Sequence, residues 1–126
     1  MIIKISFLFA TIGGALAVVL GAFGSHCLRG RIEERLLETF QTAVEYQMYH
    51  CLVLMMVAVL MREWGSSVAL EIASSAFILG VLLFSGSLYG LVLMHMKWLG
   101  PVTPVGGLCL IVGWIALVYS GFQSID

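Results

Sequence analysis

Four long apolar runs, at approximately residues 5–23, 44–61, 72–94 and 104–121, dominate the chain. Each is close to the ~20 residues that a helix needs to cross the hydrocarbon core of a bilayer. Lipid offers no partner to a backbone N–H or C=O, so a spanning segment must satisfy its own polar groups, as a helix does. Short polar stretches join the runs. The predicted fold is therefore all-α, an integral membrane four-helix bundle, with residues 1–126 as one transmembrane domain. Charge agrees, because only 10% of the residues are charged. Soluble domains carry about a quarter, and so sparse a set cannot cover a wetted surface.

The same scarcity limits function. The net charge is −1 and no basic cluster occurs, so nothing points to nucleic acid. Cys27, Cys51 and Cys109 stand alone, without the paired spacing of a disulfide framework or a metal site, and neither a metal nor a cofactor is expected. Lys4 before an apolar run and Ala15-Leu16-Ala17 imitate a signal peptide. The apolar run continues through Phe23, so an uncleaved first span is expected.

Along span 1, Gly13, Ala17, Gly21 and Ser25 recur at every fourth residue and make a ridge of small side chains. Such a ridge lets a second backbone come close, either within the bundle or in a second copy. Gly24 and Gly30 end the helix, and His26 lies at the interface. Ile32, Leu36, Leu37 and Phe40 then alternate with Glu33, Glu34, Glu38 and Gln41 at helical spacing. A short amphipathic helix over about 31–43 is expected before span 2. Further on, Pro104 suits the first turn of span 4, with Thr103 as its N-cap.

Loops 1 and 3 hold Arg29, Arg31, Arg35 and Lys97, against Lys4 and Arg62 elsewhere. That asymmetry predicts loops 1 and 3 in the cytoplasm and both termini outside.

Polar residues concentrate in T-A-V-E-Y-Q-M-Y-H, Thr42 to His50, at the mouth of span 2. Antiparallel spans bring this seam to the same end of the bundle as Ser85, Ser87 and Tyr89 of span 3 and Thr103 before span 4. His26 and His95 flank that end from the loops. The predicted cluster is His26, Glu45, Tyr46, Gln47, Tyr49, His50, Ser85, Ser87, Tyr89 and Thr103, just under the cytoplasmic face. Four kinds of chemistry suit such groups. A closed hydrogen-bond network would fix helix register. A pocket with Tyr and His donors would hold a lipid headgroup or small ligand. His50 and His95 are the residue type that ligates haem. His50 with Glu45 one turn earlier could act as a base, although no nucleophile motif accompanies them. Glu45 is costly at the mouth of a span unless it is hydrated, protonated or paired with Arg29, Arg31 or Lys97.

Four motifs in succession, G-A-F-G-S-H-C-L, T-A-V-E-Y-Q-M-Y-H, F-S-G-S-L-Y and G-P-V-T-P-V-G-G, resemble those of the YgdD/YwdK family of small membrane proteins. The resemblance covers nearly the whole chain. It implies a four-span protein of the bacterial inner membrane and implies no activity. Its motif positions here are His26, Tyr46, Gln47, Tyr49, His50, Ser85, Gly86, Ser87, Tyr89, Thr103, Pro104, Gly106 and Gly107. Ser25 stands where the family often has Ala, a mild change.

The expected function is non-enzymatic: an accessory or stabilising subunit of a larger membrane complex. The alternative is a binding or transport module for a lipid or small amphiphile at the cluster. Expected partners are membrane lipids and a larger complex or further copies of the chain.

Overall fold

The computed structural model describes residues 1–125. Four long helices follow one another: α1 (Ile2–Phe23), α2 (Glu34–Trp64), α3 (Val68–Leu93) and α4 (Val102–Ser124). All four are long and apolar enough to cross a membrane. Helices α2 and α3 form the centre. Helix α1 lies mainly against α2, and α4 lies mainly against α3.

Most large side chains on the flanking helices face outward. Ile5, Leu8, Ile12, Leu16 and Val19 of α1 are exposed, as are Leu108, Ile111, Ile115, Val118 and Phe122 of α4. Water would penalise such a surface, whereas lipid does not. Charged side chains other than Glu45 collect at the two ends of the bundle. Arg29, Arg31, Arg35 and Lys97 lie at one end, and Lys4 and Arg62 line a single groove at the other.

Helix α1 does not stop sharply. Its last residues widen into a π-helical turn, Gly24–Leu28, closed by Arg29 N–H donating to Gly24 O at 3.1 Å. The Phe40 ring packs on Gly24, where a Cβ would lie 3.0 Å from two ring carbons. Gly30 then reverses the chain at φ 80°, a conformation that costs a residue with a Cβ.

The amphipathic stretch and span 2 are one unbroken helix, α2. No Gly or Pro interrupts residues 31–61. The buried stripe also runs on without a shift of face, through Leu37, Phe40, Ala43, Gln47, Cys51, Leu54, Ala58 and Met61. Steps of three and four residues are those of a left-handed helix–helix seam. The small-residue ridge of α1 packs into this seam. Ala17 is buried, a Cβ on Gly13 would lie 2.6 Å from Cys51 Sγ, and Gly21 faces Val44. The ridge therefore serves contacts inside the bundle, and Ser25 at its end is exposed.

Between α3 and α4 the approach is closer still. A Cβ on Gly106 would lie 2.7 Å from the Cα of Phe84, backbone against backbone. Two turns later, Gly113 receives the Phe77 ring. Below them lies the core of Leu54, Val57, Met61, Leu70, Ala73, Phe77, Val81 and Leu110. Helix α4 starts two residues earlier than its sequence suggests, with Pro101 rather than Thr103 at the N-cap. Thr103 is thus inside the first turn and does not cap it, which frees its hydroxyl for α3.

Candidate functional site

Helix geometry divides the polar seam of α2. Residues 47 and 50 fall on the buried side, one turn apart, while residues 45, 46 and 49 turn outward. Gln47 and His50 are buried, whereas Glu45, Tyr46 and Tyr49 are exposed.

Gln47 joins three helices. Its Nε2 donates to Gly13 O on α1 at 2.7 Å, and its Oε1 accepts from Tyr89 OH on α3 at 2.7 Å. Ser85 Oγ donates across to Ala43 O on α2 at 2.7 Å. Ser87 Oγ donates to Phe84 O at 2.9 Å. Its lone pair is therefore what Thr103 Oγ1 meets at 2.6 Å, with the threonine as donor. Apart from the Ser87–Phe84 bond, which stays within α3, each contact ties one helix to another inside a medium that offers no substitute partner.

His50 is fixed at both ring nitrogens. Nδ1–H donates to Tyr46 O at 2.7 Å, since a carbonyl only accepts. Nε2 accepts from Trp114 Nε1–H on α4 at 3.2 Å, since an indole only donates. Both bonds fit the neutral ring with its proton on Nδ1. Phe77 packs against both members of this pair, with centroids 5.7 Å from His50 and 5.7 Å from Trp114. Among the described residues, every buried side-chain nitrogen and oxygen has a partner.

The expected cluster is thus separate small networks at different depths. Ser87 and Thr103 lie near the end that carries loops 1 and 3. Gln47 and His50 lie deeper, because their partners Gly13 and Trp114 sit midway along α1 and α4. His26 is exposed on the π-helical turn and Glu45 is exposed on the outward face of α2, so neither joins these networks. His95 is exposed in the loop after α3. His50 has no free nitrogen for a metal or substrate unless Trp114 releases it.

Two grooves flank the central pair. One lies between α1 and α3, about 390 Å³, with Gln47, Ser85, Gly86 and Tyr89 in a largely apolar wall. The other, about 790 Å³, lies between α2 and α4. Tyr46, Tyr49, His50, Phe84 and Trp114 form its aromatic wall, and Leu52, Val53, Leu110 and Ile111 continue it. Tyr46 stacks on Phe84 with centroids 4.6 Å apart, and Tyr49 lies 6.3 Å from Tyr46. The tyrosine hydroxyls bond to no protein group among the described residues.

A family model described as "protein of unknown function (DUF423)" matches residues 20–107. The chain belongs to this family. The match takes in the π-helical turn, all of α2 and α3, and the glycines of α4 that meet Phe84. The UPF0382 membrane protein YwdK of Bacillus subtilis is 40% identical over 95% of this chain and 98% of its own length. A UPF0382 membrane protein of Staphylococcus aureus is 38% identical over 95% of this chain and 97% of its own. One of Haemophilus influenzae is 36% identical over 90% of each. No solved structure matches the chain. This DUF423 protein is a membrane protein, as its relatives are described, and the family resemblance carried by the four motifs holds.

Trp114 and the Ser6–Ser74 bond escaped the sequence reading. Trp114 carried a signal, because an indole N–H far from a span's ends needs an acceptor. Ser6 Oγ also donates to Ile2 O and meets Ser74 Oγ on α3. Ser6 sits on the buried stripe of α1 with Ala10 and Ala17, and that register was its signal.

Proposed function

We propose that this DUF423 protein is a non-enzymatic binding module that holds a membrane amphiphile in the groove between α2 and α4. One observation carries this reading. Tyr46 and Tyr49 present unbonded hydroxyls on an aromatic wall that is open to the bilayer. A hydroxyl at that position is costly without an acceptor. The groove's volume lies within the range of small-molecule sites, ~300–1,000 Å³. The buried polar groups, by contrast, are already satisfied by one another. They support a rigid frame for the groove rather than a reaction.

Native mass spectrometry of the protein ejected from its own membrane tests the reading. A small molecule should stay with the wild-type chain and be lost from the Tyr46→Phe, Tyr49→Phe variant. A bare chain in both spectra would sink it.

A second reading is an accessory or stabilising subunit of a larger membrane complex. The outward face of α1 favours it, because nothing lies within 4 Å of the Cβ position on Gly14. Another helix can approach closely there. The same spectra would then show a stoichiometric protein partner. The supporting location is the bacterial inner (plasma) membrane. Loops 1 and 3 face the cytoplasm, on the distribution of Arg29, Arg31, Arg35 and Lys97 against Lys4 and Arg62.

A further inference from the structure

We infer that the ligand class of the α2–α4 groove is a neutral, planar, carbonyl-bearing ring on an apolar tail, the chemistry of an isoprenoid quinone. This rests on the groove being a binding site, and three features of its wall narrow the class.

Charge comes first. No Lys, Arg, Asp or Glu lines the groove, although both ends of the bundle carry them. A phosphate headgroup would be left there without a cation, at a large desolvation cost. The occupant is therefore uncharged.

Hydrogen-bonding capacity comes second. His50 has spent Nδ1–H on Tyr46 O and Nε2 on Trp114, and Trp114 has spent its only N–H. What remains is the pair of tyrosine hydroxyls. Neither bonds to a protein group among the described residues, so each has a proton to donate, the half of a phenol's capacity that is costliest to leave unmet. The complementary group is an acceptor, and two hydroxyls on one helix turn suit a ring carbonyl with a neighbouring oxygen.

Shape and depth come third. The rings of Tyr46, Tyr49, Phe84 and Trp114 favour a flat π-system by offset or edge packing. The His50–Trp114 bond and the Tyr46–Phe84 stack hold three of the walls in place before any ligand arrives. Less ordering is then lost on binding. The wall also reaches Trp114, midway along α4, well below the level of headgroups. Leu52, Val53 and Ile111 extend the groove as an apolar track for a tail.

The test uses the whole protein in phosphatidylcholine nanodiscs with Trp64→Phe and Trp98→Phe, so that Trp114 alone fluoresces. The probe is decylubiquinone, whose ring quenches indole emission. Saturable quenching is expected, with an apparent affinity weakened about tenfold or more by Tyr46→Phe, Tyr49→Phe. The double Phe variant keeps the ring volume, so its fold is checked by an unchanged Trp114 emission maximum before titration. Linear quenching that is identical in both proteins overturns the quinone class. If a phospholipid or other amphiphile is nevertheless retained in native spectra, the groove remains a binding site for a different class. If nothing is retained either, both readings fall.

Discussion

Trp114 donates its indole N–H to Nε2 of His50 at 3.2 Å, and through this bond α4, whose main packing partner is α3, is tied to α2. The acceptor is available only because the other ring nitrogen is committed to the carbonyl of Tyr46, one turn back on the same helix. A residue that reads as a candidate base or ligand is thereby a strut, and its ring forms one wall of a groove.

Removing either partner leaves the other unsatisfied in a low-dielectric interior. Trp114→Phe and His50→Leu are each expected to destabilise the bundle by about 1 kcal/mol. Because the two lose the same bond, their effects should not add. Coupling of roughly 0.6–1.7 kcal/mol is expected, the range of hydrogen bonds between membrane helices. Reversible unfolding of the four proteins of the cycle in mixed micelles measures it. Additivity to within about 0.3 kcal/mol would show that the bond contributes nothing.

Glycines on the bundle should divide by what lies beyond them. A methyl on Gly106 meets the backbone of Phe84, which cannot rotate away as a side chain can. Gly106→Ala should therefore push α4 off α3 and cost several kcal/mol, at or above the ~1–3 kcal/mol typical of overpacking. Gly14→Ala meets nothing within 4 Å and should be neutral or slightly stabilising. The same unfolding assay compares them, and equal effects would contradict the close approach of α3 and α4.

The architecture was legible because membrane helices announce themselves by length and apolarity, and Gly13, Ala17 and Gly21 already lay on one face. The grouping of the polar residues was legible only in part. Sequence spacing placed Gln47 and His50 near Ser85, Ser87 and Thr103 by assuming antiparallel neighbours, but it could not say which helix each would meet. Gln47 turned towards α1 and His50 towards α4, a divergence of one helical turn that depends on how α1 and α4 dock on the central pair. The partner of Gln47 on α1 is a backbone carbonyl, Gly13 O, which any residue type supplies. The first turn of α4 was misread for a related reason. Thr103 looks like a cap until α3 is in place, and then its hydroxyl goes to Ser87.

Gln47 should matter more than Tyr89, although they share a bond. Gln47→Leu removes the ties to both Gly13 O and Tyr89 OH, and it strands the phenol inside the bundle. Tyr89→Phe removes one tie and leaves Gln47 anchored to α1. Expected losses are about 2 kcal/mol and about 1 kcal/mol respectively. The pair Gln47→Leu, Tyr89→Phe should then be hardly worse than Gln47→Leu alone, because the stranded hydroxyl is gone. Unfolding midpoints of the three variants check this order, and a larger cost for Tyr89→Phe would contradict it.

Cys27 can report which way the bundle sits in the membrane. It is exposed on the π-helical turn after α1, while Cys51 is buried and Cys109 lies partly covered within α4. The thiolate is the nucleophile that attacks a thiol reagent, and it forms readily only where water reaches. A membrane-impermeant maleimide should thus label Cys27 alone. The proposed orientation, argued from Arg29, Arg31, Arg35 and Lys97 against Lys4 and Arg62, has loops 1 and 3 in the cytoplasm. Intact cells should therefore leave Cys27 unlabelled, and permeabilised cells should label it. The complementary variant, Cys27→Ala with Ser124→Cys, moves the thiol to the exposed end of α4 at the opposite face. It should be labelled in intact cells without permeabilisation. The reverse pattern would place both termini in the cytoplasm and show that a four-to-two excess of Lys and Arg is too small to set the orientation.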